Sequence, residues 1–279
     1  MRNLCSFLLL LLSTSLLAQV DQKVSAKEWA YYGQNFYGQI KSQKEISKES
    51  LYSILNGTHI STSGKFDSIS GSCVGECYNH RTVGYDSARK ILFGELFVQK
   101  DNSGLFVMDV YCGKIFHYAQ VADISHMGSE VNIEHTWPQS KFNKSYDKGM
   151  QKSDMHHLYP TDSDANNKRA SHEFGMNENS RDELNVQGCD MSKLIGAGEG
   201  LLFTPPSQHR GNVARSLFYF SVRYKLMISS SQEKVIRAWH DSDPVDAEEA
   251  SRHEIISKYQ SVRNPFIDHP ELVGMIQDF

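Results

Sequence analysis

Much that would classify a chain at a glance is missing here. No stretch after residue 18 is apolar enough to span a bilayer, no internal repeat recurs, and no low-complexity tract follows the first eighteen residues. The zinc-protease pattern is broken, because Ser257 stands where His253-Glu254 needs a second His, and His172-Glu173 has no second His either. There is no Gly-x-Ser-x-Gly elbow and no Walker loop. Gly196-Ala197-Gly198-Glu199-Gly200 follows no clear strand and lacks the dinucleotide fingerprint, so residues 190–200 are expected to form a flexible loop. Positive charge is also short, with 29 Lys and Arg against 33 Asp and Glu.

The chain does begin with a recognisable leader. Arg2, an apolar run over residues 4–12 continuing to Leu17, and the small Ala18 make residues 1–18 an export signal, cut after Ala18. The run is short and broken by Ser and Thr, which disfavours a membrane anchor, and no Cys follows Ala18, which disfavours a lipoprotein. Secretion or a periplasmic location is therefore expected. Cys5 leaves with the leader, and so does the positive Arg2. Cys73, Cys77, Cys112 and Cys189 remain, and in an exported chain they read as two disulfides with three pairings open. A zinc site is the alternative, but the only close pair is spaced Cys-x-x-x-Cys.

Residues 19–279 show no linker composition, so one mixed α+β domain is expected, with enough length for a substantial core. Residues 19–38 are polar and aromatic, with Trp29, Tyr31, Tyr32, Phe36 and Tyr37. Residues 47–55 read as a helix capped by Ser47 and stopped by Asn56-Gly57. A Ser/Gly loop follows over residues 61–72, and residues 85–93 are helical by spacing. Residues 105–111 and 114–122 read as a hairpin turning at Gly113. Helices are expected from Asp162 or Ser163 through Arg169, over residues 213–227 with Val213, Leu217, Phe220 and Met227 on an apolar face, and near residues 232–239 and 246–261. Asn264-Pro265 should end the last of these.

Chemistry concentrates in two segments. The first is Asn132-Ile133-Glu134-His135-Thr136-Trp137-Pro138-Gln139-Ser140. Adjacent strand residues point to opposite faces, so a site using both Glu134 and His135 needs a break in the strand, and Pro138 supports a strand end there. The second is Asp154-Met155-His156-His157-Leu158-Tyr159-Pro160, followed by Asn166-Asn167-Lys168-Arg169. Taken together the segments resemble the endonuclease I family of secreted bacterial nucleases, which carry a ββα-metal (His-Me) finger. Segments such as Asp109-Val110-Tyr111-Cys112-Gly113, Arg210-Gly211-Asn212-Val213 and Arg263-Asn264-Pro265-Phe266 are similar to that family too, so the likeness runs over nearly all of the exported chain.

The resemblance implies a metal-dependent, sequence-nonspecific endonuclease acting on DNA or RNA as a monomer and leaving 5′-phosphate ends. It makes Glu134 and Asn166 the metal ligands, His135 the general base and Arg169 a phosphate contact. The chemistry agrees: Mg²⁺, with Mn²⁺ or Ca²⁺ as alternatives, takes few protein oxygens and keeps open positions for phosphate, and a neutral His can accept a proton from water. Asn167 lies about 100° round the helix from Asn166. His156 and His157 read more plainly as structural histidines bonded to backbone. Two alternatives stay open beside this one, an extracellular ribonuclease and, from a different class, a non-catalytic secreted polyanion-binding protein of the same fold. The acidic charge total lends no support to polyanion binding.

Overall fold

A computed structural model describes residues 46–60, 67–119, 130–176, 183–196 and 198–279. The leader, the aromatic stretch 19–38, residues 61–66 of the Ser/Gly loop and residues 120–122 of the second hairpin strand lie outside the described residues. Helix α1 (Lys48–Asn56) starts where the Ser47 hydroxyl accepts from Ser50 N, and it ends at Gly57. A Cβ on Gly57 would meet Ile69 Cγ2 at 2.2 Å, so only glycine lets strand β1 (Thr58–Ile60) pack beside β2 (Ser68–Ser70). Strand β3 (Cys77–Tyr78) completes that antiparallel sheet in the order β2-β1-β3.

Helix α2 (Tyr85–Ile91) runs on as a π-helical turn over Leu92–Leu96, burying Ala88, Leu92 and Phe93. Strands β4 (Gln99–Asp101), β5 (Gly104–Met108) and β6 (Ile115–Tyr118) form an antiparallel meander. The turn from β5 to β6 is built by Asp109, whose carboxylate accepts from the backbone N–H groups of Tyr111, Cys112 and Lys114. Gly113 takes φ 70°, as the expected turn residue should. That turn drives Tyr111 into the interior, and the Cys112–Cys189 disulfide ties it down. The second disulfide joins Cys73 to Cys77. Cys73, Cys77, Cys112 and Cys189 are all oxidised, as the sequence led us to expect.

Strand β7 (Val131–His135) pairs antiparallel with β8 (Leu158–Asp162), and helix α4 (Ser163–Arg169) follows β8 directly. Between the two strands lie the 3-10 turn Gln139–Lys141, helix α3 (Lys148–Lys152) and the 3-10 turn Met155–His157. Asp162 caps α4 by accepting from Ala165 N. The result is strand, strand and helix around one sequence segment.

Helix α5 (Arg210–Tyr224) is the axis of the larger core: thirteen of its fifteen residues are buried, so it is enclosed nearly all round, with Arg215, Ser216, Ser221 and Arg223 buried among its apolar side chains. Helix α1 and helix α6 (Ser230–Ser242) pack on it. A smaller core under β5, β7 and β8 gathers Val107, Val131, Ile133, Leu158 and Ile256, the last from helix α7 (Ala247–Gln260).

Three expectations need correction. The loop at 190–200 holds a short strand, β10 (Lys193–Ile195), antiparallel to β11 (Leu202–Thr204), because Leu194 and Ile195 gain an apolar neighbour across the turn; β9 (Glu173–Phe174) joins the far side of β11. Met227 falls beyond α5 and is 67% exposed, so it is no part of the core face. Asn264-Pro265 starts an element instead of ending one. Asn264 caps the short helix α8 (Pro265–Asp268), and α7 has already stopped at a left-handed Ser261. Among the described residues no helix is long and apolar enough to cross a membrane.

Candidate active site

Strand β7 carries two different environments, one on each face. Asn132 and Glu134 share the first face, as the period of two requires. Glu134 is 1% exposed, and two donors meet on its Oε1: the Tyr111 hydroxyl at 2.9 Å and Arg169 Nη1 at 3.1 Å. Both contacts leave Oε2 without a protein partner among the described residues. Burial pushes the Glu134 carboxyl above its usual range, against the opposing pull of Arg169 and the Tyr111 hydrogen bond. Beside it, Asn166 Nδ2 donates to Asn132 Oδ1 at 2.6 Å. That bond engages the amide nitrogen of Asn166 and leaves its Oδ1 with no hydrogen bond among the described residues.

Arg169 is not where the resemblance led us to expect it. Its side chain is 2% exposed and turned inward. Nη1 donates to the His135 carbonyl at 3.2 Å, Nη2 donates to the Thr136 carbonyl at 2.6 Å, and the guanidinium lies over the Phe174 ring at 4.5 Å. Its Nε has no partner but is buried as well, so in this arrangement the guanidinium faces the protein interior and not a surface where a phosphate would lie. Its work in this fold is to hold the Glu134 carboxylate and the end of β7.

His135 stands on the opposite face, so the break expected between Glu134 and His135 does not occur. The strand runs regularly through His135 and ends there, and Pro138 leads into the next turn. His135 Nε2 lies 3.1 Å from the Lys152 carbonyl, which can only accept, so Nε2 carries the proton and Nδ1 keeps its lone pair. Gln139 Nε2 donates to that Nδ1 at 3.3 Å. Tyr85 stacks on the ring at 5.7 Å, and His157 meets it edge-on at 5.3 Å. Burial, the neighbouring His157 and Lys152 depress the His135 pKa to about 3. The imidazole is neutral throughout the physiological range.

The remaining histidines of the motif are structural. His156 Nε2 donates to Val262 O and His157 Nε2 to Gln151 O, and burial lowers their pKa values to about 3 and about 4. Asp154 caps their turn through His156 N and accepts from the hydroxyls of Tyr219 and Tyr224. Burial works against its charge, but His80, His156, His157 and Arg223 outweigh burial and hold the carboxyl below the usual carboxylate range.

Could these residues hold a metal ion? Among the described residues, the donors on the Glu134 face are a carboxylate oxygen and an amide oxygen, with no sulfur and no imidazole. That is a hard-oxygen set, which fits Mg²⁺, Mn²⁺ or Ca²⁺. A second cluster, His253, Glu254 and Asp268, is compact enough to attract notice. Arg263 already fills it, bonding Asp268 through Nε and Nη2 and reaching Glu254 as well.

Sequence reasoning missed Asn132, Tyr111 and Gln139. Alternation along β7 was signal enough for Asn132, two residues from Glu134. Tyr111 lay in a segment already singled out, but its inward turn depends on Asp109 and on a disulfide that spacing did not assign.

The family model described as Endonuclease I matches residues 48–271. An extracellular ribonuclease of Bacillus subtilis (strain 168) is 35% identical over 159 residues, 50% of this chain and 51% of the relative. An extracellular deoxyribonuclease of Aeromonas hydrophila is 31% identical over 125 residues, 45% of this chain and 53% of the relative. Endonuclease-1 of Buchnera aphidicola subsp. Acyrthosiphon pisum is 27% identical over 115 residues, 41% of this chain and 44% of the relative. The chain spans about half the length of the curated relatives it matches.

Proposed function

The chain belongs to the endonuclease I family, and we propose that it is a secreted or periplasmic, metal-dependent, sequence-nonspecific endonuclease, hydrolysing DNA and RNA as a monomer to 5′-phosphate ends. Strands β7 and β8 with helix α4 would be its ββα-metal finger. The observation that carries this reading is the end of β7. There, a carboxylate held by one oxygen stands next in sequence to a neutral imidazole whose tautomer is fixed.

Phosphodiester hydrolysis needs a proton acceptor for the attacking water, compensation for charge building on the phosphate, and support for the departing oxygen. His135 Nδ1 would be the acceptor once Gln139, which donates to it at 3.3 Å, gives way to the water, and the bond from Nε2 to Lys152 O would keep the ring in place. An incoming phosphodiester is negative and raises the His135 pKa back toward the working range. Glu134 through Oε2 and Asn166 through Oδ1 would hold the cation. When bound, a divalent ion of this class supplies Lewis-acid stabilisation of the phosphate and of the departing oxygen. Arg169 is a positioning residue, acting through Glu134 and the strand end. Glu134 and His135 project from opposite faces of β7, so a phosphate would have to lie across the end of the strand to meet both.

A second reading, an enzyme restricted to RNA, is favoured by the name of the Bacillus subtilis relative at 35% identity. One assay addresses both. Metal-stripped mature protein is given supercoiled plasmid or a long RNA, with excess Mg²⁺ or with EDTA. We expect cleavage of both polymers with Mg²⁺ and none with chelator. Cutting of RNA alone would select the second reading, and undiminished cutting in EDTA would sink the metal-dependent scheme.

A further inference from the structure

The polymer proposed above is a polyanion, yet the chain as a whole is acidic. Some local surface must supply the positive field. One stretch has both the charge and the right attachment. The segment between β7 and β8 leaves and returns on His135: Gln139 donates to Nδ1, and Lys152 accepts from Nε2 through its carbonyl. Residues 141–152 hold four lysines, Lys141, Lys144, Lys148 and Lys152, against a single acid, Asp147. That acid is engaged as the cap of α3, accepting from Met150 N at 2.7 Å.

None of the four ammonium groups is ion-paired among the described residues. Lys141, Lys144 and Lys148 are exposed. Lys152 Nζ lies 4.0 Å from the centre of the Tyr85 ring, the same ring that stacks on His135. The backbone beneath is held firmly. Buried Gln151 accepts from Asn143 N and donates to Asn143 O and Tyr146 O, Asn143 Nδ2 donates to Tyr224 O, and Phe142 stacks on Phe220.

We propose that residues 141–152 are the track for the phosphodiester backbone, with Lys152 contacting the phosphate nearest the scissile bond. This rests on the nuclease reading and supplies the contact that the inward-turned Arg169 does not make. Lysine ammonium groups act as point charges on phosphate and read no base edge, in keeping with nonspecific cutting.

The test measures binding of a labelled DNA duplex in EDTA as salt is raised, alongside turnover in Mg²⁺. Each phosphate contact contributes about 0.9 to the slope of log affinity against log salt. Lys141→Gln/Lys144→Gln/Lys148→Gln should flatten the slope by about 2–3, and Lys152→Gln by about 1 with a rise in KM, while Lys152→Arg keeps the wild-type slope. Lys100→Gln/Lys234→Gln, on exposed lysines elsewhere, should leave it unchanged. Thermal melts establish that each variant is folded. A triple variant that keeps the wild-type slope while the wild type cuts overturns the track alone. A Lys152→Gln variant that loses turnover and thermal stability with no change in slope overturns its phosphate contact. A wild type that binds with a steep slope but never cuts overturns the nuclease reading, and the variants still decide the track.

Discussion

The two faces of β7 hold their functional groups by opposite means. On one face Glu134 is buried as part of an ion pair, its charge balanced by Arg169 and by the Tyr111 hydroxyl. On the other, His135 is kept neutral among rings and anchored by hydrogen bonds to Lys152 O and Gln139. A buried charge with its partner removed is expensive, whereas a neutral ring can be cut back at the cost of some packing. The lesson is that stability and activity should be coupled on the Glu134 face and separable on the His135 face.

The sharpest way to test that separation is His135→Ala. Loss of a general base costs about 10²–10⁴-fold in rate, or roughly 3–5 kcal/mol in barrier. Folding and metal titration should persist, because no ligand is lost. Turnover within a few-fold of wild type would mean that His135 is not the base.

On the other face Arg169→Met should damage both properties together. Removing one member of a buried pair typically costs about 3–5 kcal/mol of stability, and a displaced Glu134 should weaken metal binding as well. Chemical denaturation and metal titration on the same variant check this. A variant that binds metal as tightly as wild type and is destabilised by less than about 1 kcal/mol would break the comparison.

Acid is the mildest probe. His135, His156 and His157 all have folded-state pKa values below that of an unfolded histidine, at about 3 to 4. The unfolded chain therefore binds more protons below about pH 6.5, and stability falls as pH drops from there toward 4. Denaturant midpoints between pH 7.5 and 4.5 should decline steadily. Substituting Asn for His157 should make that decline shallower, and an unchanged pH profile in that variant would refute its part in it.

What the sequence made legible was short-range. Ser47 and Asp162 announce their helices because a cap acts over three residues. Asn166 and Arg169 share a helix face by spacing alone. The direction of that face was hidden, because it depends on Phe174 and on carbonyls thirty-odd residues upstream. Asn264-Pro265 misled for a different reason. The dipeptide blocks helix before the proline and can equally begin one after it, and here Asn264 Oδ1 accepts from Phe266 N to start the helix that follows.

The cap at Asp154 has a consequence for the order in which the chain is made. Asp154 is held by Tyr219, Tyr224 and Gln260, and His156 rests on Val262, all of them sixty to more than a hundred residues downstream. The turn that feeds β8 cannot take its final form until those residues have emerged, whether from a ribosome or across a membrane. A segment wired this way stays incomplete until residues 219–262 have been made, and the delay is written into its topology.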